Sequence, residues 1–172
     1  MKSTRPQLSL KKALTKSSSS RSMETVTRAH DASEPYIVQI LPNLFLSDAG
    51  TAQLAPVLEA HGIDVVINLV AHKAVNCHPQ KFAYESFTFN DNVAQDLLST
   101  LDDVLKRMDA HIAAGRNVLV HCWKGISRAP AIVMAYLIRV RGMALESAFE
   151  FVKARSPRIE PNAGFMMQLS YL

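Results

Sequence analysis

No C-x-x-C pair occurs in this chain, and only two of its 172 residues are cysteine, Cys77 and Cys122. So few thiols exclude a disulfide framework and argue against a structural zinc site. With no secretory signal pattern at the N-terminus, a reducing, cytoplasmic setting is expected. Long hydrophobic runs are missing too. Stretches such as Ile63 to Val70 and Ala129 to Val140 fall short of the roughly 20 apolar residues that a membrane span requires. No internal repeat is visible. A further absence is net charge in the body of the chain. The formal charge is +4, but residues 1–34 hold seven Lys and Arg against three acids, whereas residues 35–172 hold twelve of each. Nucleic-acid binding is driven by many basic contacts to phosphates, so a neutral body argues against such a partner.

What remains is a chain of 48% hydrophobic residues, long enough for one buried core and too short for two ordinary domains. Residues 1–34, with a Ser17 to Ser20 run and few large apolar side chains, read as a disordered basic leader. Its acid-free, Ser-, Lys- and Arg-rich first part also fits a segment for organellar import. The ordered domain is expected over residues 35–172. Tyr36 to Leu41 and Leu44 to Ser47 flank Pro42-Asn43 as a hairpin. A helix is expected over Ala52 to His61, closed by Gly62. Ile63 to Val70 and Val118 to Val120 read as strands covered on both faces, and Tyr84 to Phe89 as a third strand. Leu97, Leu98, Leu101, Val104, Leu105, Met108 and Ile112 trace one face of a long helix. Three more helices follow Cys122, ending at Gly142, ending before Pro157, and starting at Pro161. Interleaved strands and helices followed by a helical run predict an α/β fold, a central mainly parallel sheet flanked by helices on both faces.

The chemistry is concentrated in His121 to Arg128, H-C-W-K-G-I-S-R. An apolar strand, a cysteine, a short glycine-bearing loop and a helix place Cys122 at the carboxyl end of a strand, where open α/β sheets bind ligands. The backbone N–H groups of Trp123, Lys124, Gly125, Ile126, Ser127 and Arg128 can curl into a nest for one phosphate, aided by the positive end of the following helix. The same groups stabilise a thiolate at Cys122. Arg128 offers a planar fork that matches two phosphoryl oxygens. Ser127 is expected to hydrogen-bond the sulfur or to cap the helix. A phosphate monoester also needs a general acid for its departing oxygen. Asp91, just past the Tyr84 to Phe89 strand, is the candidate, against the simpler reading that it turns the chain into the next helix. Packing beside the loop is the expected role of Trp123, with stacking on a substrate as the alternative, and Lys124 is expected to be solvated unless it attracts a multiply charged substrate.

His121, Cys122, Gly125, Ser127 and Arg128 reproduce the H-C-x-x-G-x-S-R motif. Together with I-L-P-N-L-F-L, D-N-V-A-Q-D-L-L and P-N-A-G-F-M-M-Q-L, they make residues 36–172 resemble the dual-specificity branch of the protein tyrosine phosphatase superfamily. The resemblance implies a fold like that of the protein tyrosine phosphatases and a metal-free, cofactor-free mechanism. In it Cys122 becomes a phosphocysteine, Arg128 grips the phosphoryl group, and Asp91 protonates the leaving group and then activates water. It implies supporting roles for His121, which orients the loop, and for Asn162, which either bonds toward the catalytic rim or only caps the last helix. It further implies phosphoprotein substrates carrying phosphotyrosine and phosphoserine or phosphothreonine. A phosphoinositide or RNA 5′-phosphate substrate, or phosphate binding without turnover, are the alternatives. Lys124 and Ala129 depart from the family's usual Ala and Ser, and an atypical member, without a preceding docking domain, is expected. Cys77 is a weak candidate for a protective disulfide with an oxidised Cys122.

Overall fold

In the computed structural model, which describes residues 34–172, the chain opens with a hairpin. Strand β1 (Ile37–Leu41) pairs antiparallel with β2 (Leu44–Asp48) through the turn at Pro42-Asn43. The expected leader lies outside the described residues, apart from Glu34 at its end. The helix expected over Ala52 to His61 is divided. A single 3-10 turn, Thr51–Gln53, gives way at Leu54 to α1 (Ala55–Ala60). Pro56 explains the division: its ring suits the first helical turn, and it has no N–H with which to continue a helix already under way.

The sheet is completed by β3 (Val65–Asn68), β4 (Ala83–Ser86) and β5 (Val118–Cys122), in the order β1-β2-β5-β3-β4, with every pairing after the first one parallel. All residues of β3 and β5 are buried, as befits inner strands covered on both faces. Edge strand β4 is partly exposed, and its Glu85 accepts a hydrogen bond from Arg107 at 2.9 Å. A charged side chain of this kind discourages pairing with another chain.

Helices cover both faces. Leu58 of α1 packs with Phe45, Ile63, Val66, Phe82 and Leu119 in a smaller cluster. On the opposite face, α2 (Leu98–Ala113), α3 (Arg128–Arg139), α4 (Leu145–Arg155) and α5 (Ala163–Leu169) enclose the larger core. Leu101, Val104, Leu105 and Met108 form the buried stripe of α2. Helix α3 is buried from Arg128 to Leu137 because it runs between the sheet and the other helices. The parallel register matches Asp48 with Cys122 and Asn68 with His121, so β2, β5 and β3 end on one rim. Ligands of open α/β sheets bind at such a rim.

Candidate active site

The apolar run of β5 carries Cys122 to the rim, where its side chain is 1% exposed, and the chain turns through Trp123 to Ser127 into the first turn of α3. Gly125 makes this turn with φ +68°, a conformation that residues with a Cβ adopt at a steric cost. A Cβ there would also lie 2.8 Å from Tyr36 Cε1 and 2.9 Å from the Ser47 carbonyl oxygen. Its N–H donates to Cys122 Sγ at 3.2 Å.

Three carbonyls of the loop are held from outside. That of Trp123 accepts from the Ala49 N–H at 3.2 Å, that of Lys124 from Arg158 Nη2 at 2.6 Å, and that of Ile126 from the Glu160 N–H at 2.7 Å. In a planar trans peptide the carbonyl and the next N–H point in opposite directions. Pinning these carbonyls outward therefore turns the N–H groups of Lys124, Gly125 and Ser127 toward the Cys122 side, as an anion-binding nest requires.

Arg158 is itself anchored. Its Nη2 is 3.2 Å from Asp48 Oδ2, and its guanidinium lies over the Tyr36 ring, 3.1 Å from the centroid. Asp48 Oδ1 accepts the Thr51 N–H at 2.8 Å, the Thr51 hydroxyl oxygen accepts the Tyr36 N–H at 2.7 Å, and the Tyr36 hydroxyl hydrogen-bonds Ser156. Sequence reading assigns Asp48 and Arg158 no role, and Tyr36 none beyond the start of the hairpin. Arg158 meets Asp48 across 110 positions of chain and the Lys124 carbonyl across 34, which no local pattern encodes.

Arg128 is 7% exposed. One end of its guanidinium donates from Nη1 to the Phe89 carbonyl at 3.1 Å, while Nε makes no hydrogen bond among the described residues and lies 3.6 Å from Asp91 Oδ2. Donor capacity is thus kept for an anion. Asp91 follows β4 on the loop expected to carry it, beside the motif. Its Oδ1 accepts from the Ser127 hydroxyl at 2.6 Å and from Asn162 Nδ2 at 3.0 Å. The nucleophile's loop, the arginine and the carboxylate are thereby gathered into one cluster.

Two expectations need correction here. The Ser127 hydroxyl donates to Asp91 rather than to the Cys122 sulfur, and it accepts the Asn162 N–H at 3.1 Å; it makes no side-chain cap of α3. Its position, just before the Asp91-facing turn, gives the hydroxyl a carboxylate partner, the stronger acceptor. Trp123 departs from a packing role, since half of its surface is exposed, which leaves the indole open to the alternative of stacking on a substrate. Lys124 is exposed, as the simpler reading had it. Asn162 fills both of its alternative roles, since its Oδ1 accepts the Phe165 N–H at 3.0 Å and caps α5 while its Nδ2 reaches Asp91.

His121 lies in β5 beneath the loop at 3% exposure. Burial pushes its imidazole down to about 4, against smaller opposing effects of the Cys122 backbone and of Asp48, so the ring is neutral at physiological pH. Nδ1 has no hydrogen-bond partner among the described residues. Cys77 and Cys122 are both free thiols. Among the described residues no group of three or more His, Cys, Asp and Glu is placed to hold a metal ion, and no helix is long and apolar enough to cross a membrane. A buried thiol in a ring of inward amides, faced by a guanidinium and a carboxylate, suits displacement at phosphorus with protonation of the departing oxygen.

Comparison with known proteins gives the same direction. The family described as the dual specificity phosphatase catalytic domain matches residues 44–172. Human dual specificity protein phosphatase 1 is 40% identical over 132 residues, covering 77% of this chain and 36% of that protein. The chain thus spans about a third of the length of the curated relatives it matches. Among solved structures, the human tyrosine phosphatase-like serine/threonine/tyrosine-interacting protein is similar with a TM-score of 0.74 at 33% identity, covering 80% of this chain and 95% of that one. Human DUSP28 is similar with a TM-score of 0.70 at 34% identity, covering 80% and 93%.

Proposed function

From the premise that the chain belongs to the dual-specificity phosphatase family, we propose that it hydrolyses phosphate monoesters of proteins, on tyrosine and on serine or threonine, through a phosphocysteine. The observation that carries this reading is the single cluster of Cys122, Arg128 and Asp91, with Arg128 Nε 3.6 Å from Asp91 and Gly125 N–H on the sulfur. In the first step the Cys122 sulfur attacks phosphorus, the bond to the leaving oxygen breaks, and Asp91 delivers a proton to that oxygen. In the second, Asp91 takes a proton from water, the water oxygen bonds to phosphorus, and the sulfur departs as thiolate with inorganic phosphate as product. Arg128 and the inward N–H groups hold the equatorial oxygens throughout, where charge is spread in the transition state.

The exposed indole of Trp123 and the cation of Lys124 stand on the loop beside the nucleophile and support recognition of residues flanking the phosphorylated one. The test is turnover of phosphotyrosine and phosphothreonine peptides and of an aryl phosphate. Cys122→Ser is expected to abolish hydrolysis while vanadate still binds, and Asp91→Ala to lower kcat by about 10² to 10⁴. Hydrolysis by Cys122→Ser at the wild-type rate overturns the reading, and absence of turnover in the wild type favours phosphate binding without catalysis.

A further inference from the structure

The segment that carries Asp91 has little to hold it by burial. Phe89 and Leu97, each 1% exposed, are its buried anchors, and between them every residue but Gln95, which is half-buried, is exposed. Its internal bonds are few: Asn90 N–H to Gln95 Oε1 at 2.8 Å, Ala94 N–H to Asn92 Oδ1 at 3.1 Å, Gln95 N–H to the Asn92 carbonyl at 3.2 Å, and Gln95 Nε2 to the Asp96 carbonyl at 2.9 Å. A segment with few buried apolar contacts opens at low free energy unless something else fixes it.

The Asp91 end is held by Ser127 and faced by Arg128; the far end is held by α5. Gln168 makes two opposed bonds to the far end of the segment: its Oε1 accepts the Leu97 N–H at 2.7 Å, and its Nε2 donates to the Gln95 carbonyl at 2.9 Å. One helical turn earlier, Gly164 lies against the Val93 backbone, and a Cβ there would stand 2.2 Å from the Val93 carbonyl oxygen and 2.7 Å from its Cα. At the head of the helix Asn162 reaches Asp91 itself. The same helix therefore touches the segment at Asp91, Val93, Gln95 and Leu97, every second residue along it.

We propose that Gln168 is a positioning residue for proton transfer, with Gly164 as the contact that lets the segment lie close enough for Gln168 to reach it. Resting on the phosphatase reading, this assigns the placement of the general acid to a side chain that touches neither substrate nor Cys122. Proton donation demands a heavy-atom approach within hydrogen-bond reach, and a displacement of about 1 Å can cost 10²-fold in rate. The nucleophile's loop keeps its own anchors at Ala49, Arg158 and Glu160, and Phe89, whose carbonyl accepts from Arg128, is itself buried. Loosening between Val93 and Leu97 would therefore spoil protonation of the leaving group far more than the anion seat.

The test uses leaving groups of different basicity. An ester of a strongly acidic phenol departs without a proton, whereas phenyl phosphate needs one. For Gln168→Met, which keeps length and removes both bonds, kcat/KM on phenyl phosphate is expected to fall about 10- to 100-fold, and on 2,4-dinitrophenyl phosphate by less than about 3-fold. Vanadate inhibition is expected within about 2-fold of wild type. Gln168→Glu, which keeps an acceptor for the Leu97 N–H and loses the donor to Gln95, is expected to fall between, and carries the test if the methionine variant does not fold. Gly164→Ala is expected to show the same leaving-group signature. Equal losses on both esters, or a loss that appears as weaker vanadate binding, overturn the proposal and leave the phosphatase reading standing. A wild type that hydrolyses neither ester overturns both.

Discussion

His121 is buried beneath the phosphate loop with its imidazole pushed down to about 4 from an ordinary 6.5, so folding carries a proton-linked term. Above 6.5 the ring is neutral in both the folded and the unfolded chain, and its contribution to stability is full. Below 6.5 the unfolded chain takes up a proton that the folded one refuses, and stability is lost as the pH falls toward 4, by about 3 kcal/mol in all. Urea midpoints measured from pH 8 to pH 4 are expected to fall over that window, and to fall less in His121→Gln. A midpoint independent of pH in the wild type would contradict the buried neutral ring. At this scale the sequence was legible where chemistry is local: Cys122, Gly125 and Arg128 lie within seven positions, and Asp91 is marked by the strand before it. It was illegible where a side chain chooses among partners. The Ser127 hydroxyl was expected at the sulfur or at the helix, and the approach of the Asp91 segment gives it a carboxylate that neither reading offered.

The phosphate loop is shaped by elements that are not its neighbours in sequence. Its outward carbonyls are held by Ala49 after β2 and by Arg158 and Glu160 after α4. Arg158→Met removes the donor to the Lys124 carbonyl and leaves Asp48 without its cation. The expected outcome is a rise of about 10-fold in KM and in the vanadate inhibition constant, alike for esters of good and poor leaving groups, since the anion seat and not the proton donor is disturbed. Steady-state kinetics across two esters separates this pattern from that of Gln168. The existence and order of the elements could be read from hydrophobic pattern, from the continuous apolar run Ile63 to Val70 that contains β3 and from the amphipathic stripe that became Leu98–Ala113. Element ends were less legible: the segment from Ala52 reads as one helix because Leu54, Val57 and Leu58 share a face, and it is Pro56 that moves the helical start to Ala55. Contacts between distant loops leave no periodic trace, which is why Arg158 and Gln168 could not be found this way.

The molecule as a whole keeps its two cores on opposite faces of the sheet, and the phosphate loop leads into α3 on the face of the larger one. Leu58 is fully buried in the smaller cluster. Leu58→Ala is expected to cost about 2–5 kcal/mol, seen as a fall in Tm of about 5–15 °C for a domain of this size. The kcat/KM of the remaining folded fraction should match that of the wild type. A selective loss of catalysis without a fall in Tm would show that α1 contributes to the site. The neutral body of residues 35–172 adds no broad field, so charge recognition rests on the residues around the loop. That loop spans only Cys122 to Arg128, yet its peptide orientations are set by Ala49, Arg158 and Glu160. During synthesis the chain is made N-terminus first, so the strand and loop that carry Cys122 precede the Arg158 and Glu160 that fix the loop's peptides. Until those two residues dock, nothing holds the Lys124 and Ile126 carbonyls outward, and the seat for the phosphate is completed only by the chain that follows α4.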